Sequence, residues 1–142
     1  MTIYADSSFL VSNYVKDTHS VESVNRMSLF PSIWITSFNW TELAHAIHLC
    51  VFRGKLSGVE AKVAWSDFTQ DCAKGVWLQA ELPDKIWDTS IDLARRYGPT
   101  LCVRTLDSLH VACALELKAQ RFWTFDERQA RLAEAVGLDT NP

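Results

Sequence analysis

Residues 3–15, which read Ile3-Tyr-Ala-Asp-Ser-Ser-Phe-Leu-Val-Ser-Asn-Tyr-Val15, decide how the rest of the chain is interpreted. The apolar run from Ile3 to Ala5 predicts a short buried strand that ends at Asp6. From Ser7 onward, apolar side chains recur at helical spacing, which predicts a helix directly after the strand. The chain therefore opens with a strand and a helix, with an acidic residue at their junction.

The same alternation of strands and helices continues to the other end of the chain. Short apolar runs predict strands at 3–5, 33–35, 76–82 and 122–125, with an added edge strand in 138–142. Amphipathic spacing and capping signals predict helices at 7–15, 21–30, 40–53, 58–73, 84–97, 106–118 and 127–136. Such alternation is typical of an α/β sandwich with a mostly parallel sheet.

Several helix boundaries depend on single capping or breaking residues. Capping boxes are expected at Asn39 with Glu42 and at Ser57 with Glu60, and Thr105 is the expected N-cap of the helix after it. Pro31 and the Gly98-Pro99 pair are expected to end the helices that precede them.

Length and composition favour one folded unit. The 142 residues have the size of one compact domain, and a hydrophobic content of 48% supplies a sizeable core. Charged residues make up 22% of the chain and are mixed with apolar ones, unlike the composition of disordered proteins. We expect residues 1–142 to form a single domain.

The cysteines and the hydropathy of the sequence indicate the cellular compartment in which the protein is expected. The four cysteines, at positions 50, 72, 102 and 113, form no Cys-x-x-Cys pair and have no histidine at zinc-ligand spacing, so we expect buried free thiols. The N-terminus has no basic region typical of a signal peptide, and no apolar run approaches the ~18 residues of a membrane span. The sequence predicts a cytoplasmic protein with no membrane partner.

Four acidic residues fall where the predicted sheet would present its ligand crevice. Asp6 and Asp126 end predicted strands, Glu42 lies shortly after the second strand, and Asp107 lies in the first turn of a later helix. The carboxyl ends of parallel strands form the ligand crevice of α/β sheets. We therefore expect the four side chains to meet there.

Clustered carboxylates suggest a metal site, because a divalent cation relieves their mutual repulsion. Oxygen ligands without His or Cys favour Mg²⁺ or Mn²⁺, which activate water and neutralise phosphate oxygens in phosphodiester hydrolysis. Each acid also has a structural interpretation, as an N-cap (Asp6, Asp126), a capping-box member (Glu42) or a complement to the helix dipole (Asp107). The two interpretations are compatible.

Four motifs in the chain resemble those of a known family. These are Tyr4-Ala-Asp-Ser-Ser-Phe-Leu-Val11, Trp40-Thr-Glu-Leu-Ala44, Arg104-Thr-Leu-Asp-Ser-Leu-His-Val-Ala-Cys-Ala-Leu115 and Phe122-Trp-Thr-Phe-Asp-Glu-Arg-Gln129. In order and spacing they resemble the acidic motifs of PIN domains, and a chain of this length is similar to the VapC-type toxins of toxin–antitoxin systems. The first motif alone is weak, whereas the last two, about twenty residues apart, are specific.

The resemblance implies a three-layer α/β/α sandwich with a five-stranded, mostly parallel sheet. It also implies a Mg²⁺ or Mn²⁺ site and an endoribonuclease that prefers single-stranded RNA. The expected partners are the RNA substrate, a cognate antitoxin protein and a second copy of the chain in a homodimer. Carried over by motif, the acidic quartet consists of Asp6, Glu42, Asp107 and Asp126. Residues 57–92 match the family only as generic helices.

Further residues are candidates for supporting roles. Ser7 and Thr124 are expected to orient waters bound to the metal, and Arg104 and Arg128 to contact RNA phosphates. His110 lies three positions after Asp107 and so on roughly the same helix face, although we favour core packing for it. His45 and His48 are expected at the surface. An exposed tryptophan among Trp65, Trp77 and Trp87 would be a candidate anchor for a partner.

The net charge and two alternative functions are weighed against this interpretation. The net charge of −3 gives no overall basic signal of the kind that many nucleic-acid-binding proteins show. A catalytically silent module that binds RNA or a protein is one alternative, although the intact quartet argues against it. A phosphatase that uses Asp6 as nucleophile is another, but the haloacid-dehalogenase pattern requires a second Asp at the position of Ser8.

Overall fold

The computed structural model describes residues 1–30 and 32–142. Seven helices and four strands are formed within these residues. The strands are β1 (Ile3–Ala5), β2 (Ile33–Ile35), β3 (Trp77–Gln79) and β4 (Arg121–Trp123). The helices are α1 (Ser7–Ser12), α2 (Ser20–Leu29), α3 (Ser37–Phe52), α4 (Gly58–Ala73), α5 (Ile86–Leu101), α6 (Thr105–Glu116) and α7 (Glu127–Ala135).

The strands form one parallel sheet in the order β3-β2-β1-β4. Starting from β1, the chain adds β2 and then β3 on one side of that strand. It then returns across the sheet and adds β4 on the other side of β1. The connections that leave β1 and β4 therefore diverge, and the carboxyl ends of these two strands form the crevice in which α/β proteins bind ligands.

Alternation along the strands divides the core into two layers. Ile3 and Ala5 of β1 pack with apolar residues of α1, α3 and α4, whereas Tyr4 packs on the opposite face with residues of α5, α6 and α7. Because successive side chains of a strand point to opposite faces, a three-residue strand can contribute to both layers. The expected three-layer α/β/α sandwich is confirmed.

The prediction of a five-stranded sheet is wrong for the residues that the structure describes. Where a fifth strand was expected, at the free edge of β4, the structure has one isolated parallel bridge, between Asp139 and Arg121. The Asp139 carboxylate accepts hydrogen bonds from both the backbone and the side-chain N–H groups of Asn141, at 2.9 Å each. This local turn competes with extension of the strand.

Three predicted helix ends are also wrong. Helix α3 is capped at Thr36, whose backbone N–H donates to Asn39 Oδ1 at 2.8 Å, so Asn39 is the third helical residue and Glu42 lies one turn farther on. Helix α6 begins at Thr105 with Arg104 as its N-cap. The third case, α5, continues through Gly98 and Pro99 to Leu101, because Leu101 packs against the second core layer. The predicted stop at Pro31 falls on a residue outside the described ranges.

The expected burial of cysteine and tryptophan side chains is only partly found. All four cysteines are free thiols, but Cys113 alone is buried, and Cys102 is exposed. Trp77 is buried in the core, which removes it as a partner anchor, whereas Trp87 is 55% exposed. None of the described helices is both long enough and apolar enough to span a membrane.

Candidate active site

One small cleft brings the four predicted acids together at the carboxyl end of the sheet. Its volume is about 150 Å³. It is lined by Asp6, Ser7, Ser8, Glu42, Arg104, Asp107, His110, Asp126 and Gln129. The acids come from four separate segments: Asp6 follows β1, Glu42 is on α3, Asp107 is in the first turn of α6, and Asp126 caps α7. The predicted convergence is therefore present in the fold.

Asp6 lies at the bottom of the cleft, with only 1% of its surface exposed. One carboxylate oxygen accepts from the backbone N–H of Phe9 at 3.0 Å and from the Ser8 hydroxyl at 2.7 Å, and the other accepts from the Thr124 hydroxyl at 2.5 Å. Burial raises the pKa of Asp6, against the lowering effects of nearby His110 and of these hydrogen bonds. Asp6 is thus a helix cap and a desolvated carboxyl group at once.

Glu42 is fixed by a buried histidine. The His110 Nε2 lies 2.5 Å from Glu42 Oε1, which also accepts from the Ser7 hydroxyl at 2.8 Å. On its other side, His110 Nδ1 lies 2.7 Å from the Tyr4 hydroxyl. Partial burial acts to raise the pKa of Glu42, but the hydrogen bonds and charge interaction with His110 and the Ser7 bond outweigh it, so the pKa is lowered. His110 therefore packs in the core, as favoured from the sequence, and also orients a cleft acid.

Arg104 joins the other two acids. Its Nε donates to Asp107 at 3.1 Å, and its terminal nitrogen lies 3.5 Å from Asp126. The second oxygen of Asp126 caps α7 by accepting from the backbone N–H groups of Arg128 and Gln129. The guanidinium thus supplies a positive charge between two carboxylates that would otherwise repel one another.

Of the other residues predicted to support the site, some lie in the cleft and others do not. Ser7 and Thr124 contact Glu42 and Asp6 directly, and both side chains are bonded to carboxylate oxygens. Arg128 is exposed, and in residues 1–30 and 32–142 the cleft lining does not include its side chain. His45 and His48 are exposed on α3, as predicted, where each ring bonds a carbonyl of its own helix.

Sequence reasoning missed two contributors to the cleft. Ser8 bonds Asp6 and accepts from the backbone N–H of Phe125, so it ties α1 to the loop after β4. Gln129, which is buried, donates to the backbone carbonyl of Asp107 at 3.2 Å and so joins α7 to α6. Their only sequence signal is proximity to an acid, Ser8 two positions after Asp6 and Gln129 three after Asp126.

Comparison with known protein families gives a match to the PIN domain model over residues 3–135. The chain belongs to the PIN domain family. Comparison of the PIN domain sequence with curated proteins gives no significant match.

Solved structures share the PIN fold at low sequence identity. Mycobacterium tuberculosis VapC20, described as a sarcin-ricin loop cleaving toxin, superposes with a TM-score of 0.69 at 15% identity, with 99% of this chain and 100% of that chain covered. FitAcB from Neisseria gonorrhoeae gives a TM-score of 0.71 at 15% identity, covering 99% and 98%. A toxin–antitoxin complex from Klebsiella pneumoniae gives 0.59 at 15% identity, covering 89% and 87%.

The donor set of this PIN domain fits a hard divalent cation in its chemistry. Four carboxylates in one cleft, with no thiol among its lining, match the oxygen preference of Mg²⁺ and Mn²⁺. As the described side chains are placed, no group of three or more His, Cys, Asp or Glu converges on a single point. Arg104 lies between Asp107 and Asp126 and contacts both carboxylates. A cation would therefore compete with this guanidinium for the two carboxylates.

The residue at position 8 bears on the phosphatase alternative. Where that pattern requires a second Asp, Ser8 donates a hydrogen bond to Asp6 at 2.7 Å. A serine hydroxyl is too weak an acid to take over the general acid role of that Asp. The phosphatase alternative therefore gains no support from the PIN domain structure.

Proposed function

We propose that this PIN domain is a metal-dependent endoribonuclease that hydrolyses RNA phosphodiester bonds and serves as the toxin of a toxin–antitoxin pair. The observation that carries the proposal is the single cleft shared by Asp6, Glu42, Asp107 and Asp126. Four carboxylates from four distant segments are costly to bring together unless they bind cations. Residues 1–142 are proposed to act as one domain.

Each cleft residue has a defined part in the proposed reaction. Asp6, Glu42, Asp107 and Asp126 hold Mg²⁺ or Mn²⁺, which would supply positive charge to the phosphate and make an attacking water more acidic. Ser7 and Thr124 orient Glu42 and Asp6 through the hydrogen bonds described above. Arg104, once displaced from Asp107 and Asp126, is free to pair with a phosphate oxygen, and Arg128, which is exposed on α7, contacts a second RNA phosphate.

The proposed partners follow from the shared fold and from the exposed surface. VapC20 is described as a toxin and the Klebsiella structure as a toxin–antitoxin complex, which supports a cognate antitoxin for this chain. The proposal places both proteins in the cytoplasm. Trp87 and Ile91, one turn apart on α5, expose 55% and 59% of their surfaces. Exposed apolar side chains near one another are typical of protein interfaces, in a homodimer or with the antitoxin.

The test is cleavage of a panel of structured and single-stranded RNAs by the purified full chain. The reactions contain Mg²⁺, Mn²⁺ or EDTA, and the variants are Asp6→Asn and, as a matched control, Asp67→Asn, which is exposed on α4. We expect metal-dependent cutting by the wild type and the control, and a loss of at least 100-fold in Asp6→Asn, the order expected when an essential charged group is removed.

Binding measurements separate the proposal from its alternatives. Titration calorimetry with Mg²⁺ should show binding to the wild type and weaker binding to Asp6→Asn, with circular dichroism confirming that both are folded. RNA binding without cutting, by folded protein freed of antitoxin and tested on total cellular RNA, would contradict the nuclease and favour a silent binding module. Cutting that is unaffected by EDTA would contradict the metal site.

A further inference from the structure

A second groove adjoins the acidic cleft and has walls of a different character. Its volume is about 380 Å³. Ser7, Ser8, Glu42 and Asp126 line both the groove and the cleft, so the two are adjacent. The remaining walls of the groove are Val11 of α1, Ala46 of α3, Phe125, Asp17 and His19. The cleft therefore borders a groove with an aromatic side.

That aromatic side is a stack of rings that runs from the core to the solvent. Phe9 is fully buried, and its ring centroid lies 5.4 Å from that of Phe125 at an interplanar angle of 24°. On Phe125 lies the imidazole of His19, with centroids 4.3 Å apart and planes only 6° apart. His19 is exposed, so the stack ends in a ring that solvent can reach.

The backbone that carries His19 is held in place, whereas its imidazole is not otherwise engaged. The His19 backbone N–H donates to Asp17 Oδ1 at 2.8 Å, and the Asp17 backbone N–H donates to the Ser20 hydroxyl at 2.9 Å. Among residues 1–30 and 32–142, nothing forms a hydrogen bond with the His19 ring. The ring is thus positioned by stacking alone, with polar edges free.

The lining of the groove favours a base over a phosphate. Glu42 and Asp126 belong to the proposed metal site, which leaves Asp17 as the acid that lines the groove alone, and no Lys or Arg lines it among the described residues. A phosphate finds no cationic side chain in that lining, whereas an aromatic base gains stacking energy on His19 and offers N–H donors to Asp17. Both faces of a base in a duplex are already stacked, so the ligand must be unpaired.

We propose that His19, supported by Phe125, stacks on an unpaired base of the RNA strand whose neighbouring phosphate enters the acidic cleft. This inference rests on the proposed function and adds a positioning residue to it. The base in the groove and the phosphate in the cleft are held at once, because Ser7, Ser8, Glu42 and Asp126 border both. His19 thereby favours single-stranded substrates over paired ones.

Steady-state kinetics on a single-stranded RNA that the wild type cuts test the proposal first. We expect His19→Ala to raise KM roughly tenfold with little change in kcat, the order of effect that loss of one base–aromatic stack produces. His19→Phe, which keeps an aromatic face, should restore KM to near the wild-type value. His45→Ala, at an exposed position on α3, is the matched control.

Two outcomes of the kinetics would overturn the stacking role. An unchanged KM in His19→Ala would remove His19 from substrate binding. A fall in kcat shared by His19→Ala and His19→Phe would instead indicate proton transfer by the imidazole. If His19→Ala weakened binding of the antitoxin and left KM for RNA unchanged, the groove would belong to a protein partner.

A binding measurement that needs no cleavage separates this proposal from the proposed function. An oligonucleotide that contains 2-aminopurine loses fluorescence when that base stacks, and stopped-flow mixing with Mg²⁺ present records this loss before the strand is cut. Wild-type protein should quench the single strand more than the duplex, and His19→Ala should abolish the difference. Metal-dependent cutting without such quenching would contradict the stacking proposal and leave the proposed nuclease function standing. Quenching without any cutting would contradict the nuclease function and leave the stacking of His19 on a base standing.

Discussion

At the scale of single residues, the four carboxylates of the cleft differ in the groups that bind them. Asp6 and Glu42 are held by hydroxyl, amide and imidazole groups, whereas Asp107 and Asp126 share the Arg104 guanidinium. Hydrogen-bond donors and an arginine that is 59% exposed can give way to a cation more readily than a buried ion pair can. The arrangement holds the acids near one another without fixing them as a closed cage.

Removal of Arg104 should expose the repulsion between Asp107 and Asp126. In EDTA at low ionic strength, we expect Arg104→Gln to have a lower Tm than the wild type, because two carboxylates lose the cation that they share. Mg²⁺ should raise the Tm of the variant more than that of the wild type, since a bound ion replaces the lost charge and stabilises the folded state by mass action. Thermal unfolding followed by circular dichroism measures both effects.

The matched control for this prediction is Arg96→Gln. Arg96 pairs with Asp92 on the surface of α5, and both side chains are more than half exposed, so such a pair contributes little to stability. We expect its Tm to be nearly that of the wild type, with or without Mg²⁺. Equal Tm values for the two variants in EDTA, or no gain from Mg²⁺ in Arg104→Gln, would count against a cation site at Asp107 and Asp126.

At the scale of elements, the junction between α5 and α6 shows how the fold positions the cleft. Helix α5 passes through Pro99 and ends at Cys102, a left-handed residue with φ 52° and ψ 53°. Two residues later, Arg104 caps α6, so the reversal at Cys102 brings Arg104 and Asp107 to the cleft. A left-handed residue with a Cβ costs about 1–2 kcal/mol relative to a right-handed one. This cost falls two residues before Arg104, the N-cap of the helix that carries Asp107.

Substitution of Cys102 by glycine should therefore stabilise the protein. Glycine adopts the left-handed conformation without a Cβ clash, although it loses more backbone entropy on folding, so we expect a net gain of about 0.5–1 kcal/mol in the free energy of unfolding. Cys102→Ala, which removes the thiol and keeps Cβ, should match the wild type. Urea unfolding midpoints measure the difference, and equal midpoints for the glycine and alanine variants would refute the backbone argument.

At the scale of the whole molecule, two apolar layers enclose one sheet, and α6 is the most enclosed helix. From Ser108 to Ala114 every residue of α6 is buried, and Cys113 is fully inaccessible to solvent. Burial raises the pKa of the Cys113 thiol to about 11, so almost none of it is in the reactive thiolate form near neutral pH. The chemical reactivity of Cys113 thus reports on opening of the whole fold.

Thiol labelling should follow this order of burial. With iodoacetamide at pH 8, we expect Cys102, which is exposed, to be modified in the native protein, whereas Cys113 should react only as urea unfolds the chain. Peptide mass spectrometry after timed labelling measures each site. Modification of Cys113 in the native protein at a rate close to that of Cys102 would show that the second core layer opens locally.

The sequence by itself determined the alternation of strands and helices, the parallel α/β class and the identity of the four cleft acids. These follow from local signals, because apolar periodicity sets each element and an acid at a strand end points to the crevice. Asp6 and Asp126 could be assigned to one edge because the carboxyl ends of parallel strands lie there. Glu42 and Asp107 lie on helices, so the full quartet was carried over from the resemblance of their motifs to those of PIN domains.

Only the tertiary structure decided the contacts between distant segments. Three such contacts join residues that share no local sequence pattern. His110 links Tyr4 to Glu42, and Arg104 bridges Asp107 and Asp126. The ring of His19 stacks on that of Phe125. Tertiary packing also extended α5 past Pro99, and a side-chain turn at Asp139 reduced the expected fifth strand to a bridge. Spacing in the sequence specifies elements, whereas side-chain partners depend on how those elements pack.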